Sequence, residues 1–188
     1  MKLIERLLWI IAALALAMKL MHLPLSSFLL IISISTLMML YFFLSGLLLP
    51  SPTRQDQVLA LSILAGVGIS IALTGVLFKL QRWPLSGFYL LLGGTWLAGI
   101  AIAAGVVRSS RAALRAYTNG LLIRIIPLLA ACCLLYALPG ATLTAFYYRD
   151  EPEIGRLWIQ HDSIADPVER ERLRARIDSL HWASNLNR

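Results

Sequence analysis

Residues 3–148 alternate between long apolar blocks and short polar gaps, and the polar character changes abruptly after residue 148. A helix needs about 20 apolar residues to cross the hydrocarbon core, where no water satisfies exposed backbone groups. Five segments reach that length: about Leu3 to Leu20, Pro24 to Leu49, Val58 to Leu80, Pro84 to Val107 and Gly120 to Tyr148. Pro50-Ser51-Pro52 breaks the second block, and Thr53 to Gln57 form a polar connection. Arg108 to Arg115 form a basic connection, and Pro127 and Pro139-Gly140 are expected to kink the fifth span. The pattern predicts an all-α membrane protein. It comprises a first hairpin over residues 1–52, a second hairpin with its basic connection over 53–115, a fifth helix over 116–148, and a soluble helical tail over 149–188.

The two hairpin tips repeat one another. Lys19-Leu-Met-His22-Leu-Pro24-Leu-Ser26-Ser-Phe28 returns sixty residues later as Lys79-Leu-Gln-Arg82-Trp83-Pro84-Leu-Ser86-Gly87-Phe88, with six of ten positions identical. Lys19 and Lys79 fall in the last turn of their helices, where a cation meets the negative end of the dipole and snorkels outward. Pro24 and Pro84 suit a first helical position, and Trp83 suits the headgroup level. The hinge residues Lys19, His22, Pro24, Lys79, Arg82, Trp83 and Pro84 are therefore both good hairpin chemistry and the first functional candidates, because ionisable groups at a membrane mark sites. Two hairpins suggest a four-helix bundle with a fifth helix alongside. Ser62, Gly66 and Ser70 on the third span, and Gly94 with Ala98 on the fourth, are expected at tight helix contacts. The bulkier first and second spans are expected to face lipid or a partner.

Composition agrees with this class: hydrophobic residues make up 59% and charged residues 14%, against about 25% charged in soluble domains. Residues 1–148 hold ten Lys/Arg and only two acids, Glu5 and Asp56, whereas 149–188 hold seven Lys/Arg and eight acids. Lys2, Arg6, Arg54, Arg108, Arg111 and Arg115 fall on one side of the predicted spans. Lys19, Lys79 and Arg82 fall on the other, joined by Arg149 and Arg156 of the tail. The positive-inside rule then predicts a cytoplasmic N-terminus, outer hinges and a periplasmic tail. Lys2 and Arg6 before Leu7 to Met18, with Ala15-Leu-Ala17, imitate a cleavable signal. The repeat argues for retention, since cleavage would remove one arm of the first hairpin. Arg124 lies one turn inside the fifth span. With no acid expected beside it, it should snorkel to the interface; the alternative is a polar interior with a hydroxyl or carbonyl partner.

Catalytic chemistry is not visible. No nucleophile elbow, zinc-binding H-E-x-x-H, phosphate loop or dinucleotide fingerprint occurs, so no catalytic, cofactor or metal residue is assigned. Cys132 and Cys133 are adjacent and apolar in context, and His22, His161 and His181 lack metal spacing. The basic residues form no compact stripe with interleaved aromatics, which argues against nucleic acid. In the tail, Asp166-Pro167-Val168-Glu169 opens a helix. Its stripe of Leu173, Ile177 and Leu180 is a candidate partner surface unless it closes on the preceding tail helix or lies on the membrane.

The second hinge, Gly75-Val-Leu-Phe78-Lys79-Leu-Gln-Arg82-Trp83-Pro84-Leu-Ser-Gly87, resembles the G-x-L-F-K-I-x-H-W-P-G-A hairpin of GldL, the gliding-motility and type IX secretion motor protein of the Bacteroidota. Arg82 stands where histidine is usual. The first copy keeps Lys19, His22 and Pro24 but lacks the glycine, phenylalanine and tryptophan. The resemblance implies a bacterial inner membrane, a cytoplasmic N-terminus and outer-facing hinges. It does not carry motor function, because that family works through an intramembrane glutamate and the second and fourth spans here have none. The expected function is a non-catalytic assembly or scaffold subunit of a cell-envelope complex. Its expected partners are the lipid bilayer and a membrane protein or a second copy. The alternative is a small transporter or ion-conducting protein with an outer vestibule lined by the repeated hinge cations.

Overall fold

The computed structural model describes residues 2–21, 23, 25–48, 56–149, 151–164 and 166–186. His22, Pro24 and the Pro50-Ser51-Pro52 break lie outside the described residues. Helices α1 (Lys2–Leu20), α2 (Ser26–Leu48), α3 (Asp56–Gln81), α4 (Ser86–Ser110) and α5 (Arg115–Ala137) follow in order, with a 3₁₀ turn (Ala112–Leu114) leading into α5. Then come α6 (Gly140–Tyr147), α7 (Pro152–Ser163) and α8 (Pro167–Leu186). No strand occurs among the described residues. Among the described residues, four helical segments are long and apolar enough to cross a membrane: Ser26–Gly46, Leu59–Gln81, Ser86–Ser110 and Ala112–Ala137. Helix α1 has the length but also carries Glu5, Arg6 and Lys19, which keep it out of that set.

The chain divides into two units, residues 1–137 and 138–188. In the first, α3 packs on α2, α4 and α5, while α1 packs on α2 and α5 also packs on α4. This differs from the expected four-helix bundle with a helix alongside, because α3 is the hub and α1 sits at one edge. Burial follows: 56% of the α3 span is buried, against 22–28% of the others. The reason lies in side-chain size. Gly66 lies so close to the Tyr41 carbonyl and Ser45 that no methyl group would fit, and a Cβ at Gly75 would lie 2.6 Å from the Leu90 nitrogen. Gly93 abuts Ala72, where a Cβ would come within 2.7 Å of the backbone nitrogen. Small residues let two backbones approach where van der Waals contact must supply the association energy.

Ser62, Gly66 and Ser70 are all buried, as their spacing predicted, and the Ser70 hydroxyl donates to the Met38 carbonyl at 2.9 Å. On α4 the tight contact is made by Gly93; Gly94 and Ala98 are only half-buried, and Gly94 faces Cys132 across an ordinary 3.7 Å gap. The inward stripe of α4 is Leu90, Gly93, Leu97, Ile100 and Ala104, one residue out of phase with the sequence reading. Helix α2 is also less peripheral than its bulk suggested, with Leu30, Ile34, Leu37 and Tyr41 buried between α1 and α3.

The run expected as one helix to Tyr148 stops at Ala137. Pro139 disfavours helical geometry at Leu138 and offers no N–H. Its carbonyl instead accepts from Thr142 at 3.1 Å to start α6. Pro127 lies inside α5 without ending it. In the second unit α6 packs on α7, and α7 on α8. Asp166 caps α8 as its sequence indicates: its carboxylate accepts from the Val168 N–H at 3.0 Å, with Pro167 at the first helical position. Ile177 is buried, and Leu173 and Leu180 are half-buried, on a helix that packs against α7.

Candidate functional site

The two hinges share a backbone device. After α3, Arg82 adopts a left-handed conformation (φ 58°), its N–H donates to the Lys79 carbonyl at 3.3 Å, and the Trp83 N–H donates to the Phe78 carbonyl at 2.8 Å. That pair of bonds is a Schellman closure, and the Phe78 and Trp83 rings meet edge-on at 5.1 Å as its apolar clasp. Sixty residues earlier the Leu23 N–H donates to the Met18 carbonyl at 3.0 Å, the equivalent closure. Leu25 and Leu85 are both left-handed (φ 65° and 64°), and each carbonyl accepts the first bond of the following helix, from Leu29 and Tyr89. The repeated sequence therefore encodes a repeated turn.

The hinges are also joined. The Lys19 ammonium donates to Gln81 Oε1 at 2.8 Å, and Gln81 Nε2 donates to the Ser27 carbonyl at 3.1 Å. Gln81 thus bridges both arms of the first hinge from the end of α3. It stands where the first copy has Met21, at a position where the two copies differ. That mismatch between Met21 and Gln81 is the sign of the contact in the sequence. Lys79 and Arg82 are half-buried; Trp83 and Pro84 are exposed.

At the opposite end of the unit lies an arrangement that sequence reasoning missed. Arg124 does not snorkel. Its guanidinium donates from Nε to Glu5 Oε1 at 2.7 Å and from Nη2 to Glu5 Oε2 at 2.9 Å, and Nη1 caps the Gly120 carbonyl at 2.8 Å. The Tyr41 hydroxyl donates to the same Glu5 carboxylate. Three elements, α1, α2 and α5, are joined at one carboxylate. The side chains of Glu5 and Arg124 are 6% and 22% exposed, so the pair is shielded. A planar fork facing a carboxylate through two bonds is the strongest form of this interaction. Glu5 lies in the first turn of α1. It nonetheless reaches Arg124, because helix ends are not level. Glu5 is three residues from the start of α1, Tyr41 seven from the end of α2, and Arg124 nine from the start of α5. At 1.5 Å per residue, Glu5 therefore meets partners that lie about 10 Å inside the end of α2 and about 13 Å inside the start of α5.

A cleft of about 620 Å³ opens beside this carboxylate, walled by α1 and α5 and floored by α2 and α3. Glu5, Arg6 and Arg124 are its charged residues; the remainder is apolar, including Leu16, Ile34, Leu73 and Leu80. The hinge cations Lys19, Lys79 and Arg82 are not among its walls. Elsewhere in the unit, Ser62 and Tyr117 pair through their hydroxyls at 2.7 Å, and the Trp96 indole donates to the Leu64 carbonyl at 3.0 Å. Among the described residues no buried side-chain polar atom lacks a partner, and no group of three or more His, Cys, Asp or Glu is placed to hold a metal ion.

Four apolar helices of spanning length, packed through small residues around α3, define a multi-pass helical membrane protein. Compared with protein-family models, curated proteins and solved structures, the chain matches none.

Proposed function

We propose that this is a non-catalytic integral protein of a bacterial inner membrane, an assembly or scaffold subunit of a cell-envelope complex. The observation that carries the reading is the use made of its polar groups. Glu5, Tyr41 and Arg124 hold one another, Lys19 holds Gln81, and Ser62 holds Tyr117. Each bond ties one helix to another, which suits a rigid platform. A working pore or active site instead needs groups that exchange partners.

In this reading α1 is a fifth span. Its 19 residues reach about 28 Å, and pairing with Arg124 offsets the cost of carrying Glu5 into the bilayer. The basic residues then favour a cytoplasmic N-terminus and a periplasmic α6–α8 unit, which also agrees with the GldL-like hinge. The α6–α8 unit would be the partner-facing module, with Trp182 and Val168 exposed on α8. The vestibule alternative has less support, since Lys19 is committed to Gln81.

Purification in mild detergent should recover a stoichiometric membrane partner or a homo-oligomer, and deletion of residues 165–188 should release it. Recovery of the intact chain as a lone monomer in several mild detergents would overturn the proposal.

A further inference from the structure

We infer that the cleft between α1 and α5 is a binding site for one anionic phospholipid, with an acyl chain along its apolar floor and the phosphate beside Arg6. The argument begins with size. Along α1 the cleft runs from Glu5 to Leu16, eleven residues, or about 16 Å of helix axis. An extended chain, advancing about 1.2 Å per bond as in an extended backbone, would place on the order of a dozen methylenes along the floor.

Charge selects the headgroup. The three ionisable residues of the wall, Glu5, Arg6 and Arg124, sum to one positive charge. Glu5 and Arg124 satisfy each other, so the excess falls on Arg6, which is exposed and has no hydrogen-bond partner among the described residues. Arg6 is exposed at the polar end of the cleft, beside the Glu5–Arg124 pair, where a phosphate can meet it. The charged and apolar portions of the wall thus follow the order of a phospholipid, headgroup then chain. The cleft opens between α1 and α5, and the assignment rests on α1 lying in the bilayer as proposed above.

The full-length protein in mild detergent, titrated with phosphatidylglycerol or phosphatidylcholine and read by native mass spectrometry, tests the assignment. One phosphatidylglycerol should be retained more tightly than phosphatidylcholine. Arg6→Ala should weaken that retention by roughly three- to tenfold, as expected for losing one charge-assisted contact. Ala13→Trp, which fills the cleft from its exposed wall, should abolish tight retention. Ile102→Trp, an equal bulk on the exposed face of α4 outside the cleft, should leave it intact. Unchanged circular dichroism and elution would show that both tryptophan variants fold. Equal retention of the two lipids, or retention that survives Ala13→Trp in the folded protein, would overturn the site. So would cross-linking from position 13 to a partner protein.

Discussion

Removing either member of the Glu5–Arg124 pair should harm the fold far more than removing both. The carboxylate is 6% exposed and takes two bonds from the guanidinium, at 2.7 and 2.9 Å, plus one from Tyr41. Glu5→Leu leaves a guanidinium with the Gly120 carbonyl and the neutral Tyr41 hydroxyl, in a wall that is otherwise largely apolar. Breaking one side of a buried pair costs about 3–5 kcal/mol, because the surviving charge keeps its desolvation penalty and loses its compensation. Arg124 retains 22% exposure, so some water relief places Glu5→Leu near the lower end, about 3 kcal/mol. Arg124→Leu should cost about 3–4 kcal/mol, with Tyr41 still serving the carboxylate. In a chain of this size such losses lower the midpoint of thermal unfolding by roughly 6–15 °C. The double variant Glu5→Leu/Arg124→Leu should fall within about 1 kcal/mol of the parent, since a buried pair is frequently replaceable by apolar side chains. The assay is a double-mutant cycle on unfolding in mixed micelles. Neutral single variants, or a double variant showing the sum of the two losses, would refute the pairing.

Other outcomes follow from the close contacts and the turns. Gly75→Val should cost about 1–3 kcal/mol in the same assay, because the new atoms meet the Leu90 backbone. Gly99→Ala, with open space around its Cβ, should be neutral or stabilise by up to about 1 kcal/mol. Arg82→Gly should raise stability by about 1 kcal/mol by relieving a left-handed residue; a clear loss would show that the cation itself holds the turn. Gln81→Leu should destabilise by about 1–2 kcal/mol in the same unfolding assay, since it removes the bonds to Lys19 and to the Ser27 carbonyl.

The sequence made four spans, both hinges and the α8 cap legible because each rests on local chemistry: unbroken apolar length, a helix-ending motif, and an acid before a proline. The hub role of α3 was partly legible in Ser62, Gly66 and Ser70. Gly93 was mistaken for its neighbour because adjacent glycines on one helix differ by about 100° of face, and only the partner helix decides between them. The Glu5–Arg124 pair was illegible for two reasons. The partners are 119 residues apart, and the depth of Glu5 depends on how far α1 is set back from α2 and α5, which α1's own residues do not encode. Pro127 and Pro139 looked alike in sequence, yet only the second ends a helix. The Lys19–Gln81 bond went unread because it uses a position where the repeat fails.

The central claim is that α1 crosses the membrane as a fifth span, with Glu5 carried inward by Arg124. Cytoplasmic and periplasmic reporters fused in turn to the N-terminus and after residue 148 test it most directly. An odd number of spans predicts opposite sides, the N-terminus cytoplasmic and the tail periplasmic. Both fusions reporting the same side would mean four spans, with α1 lying outside the bilayer core, and would contradict the account.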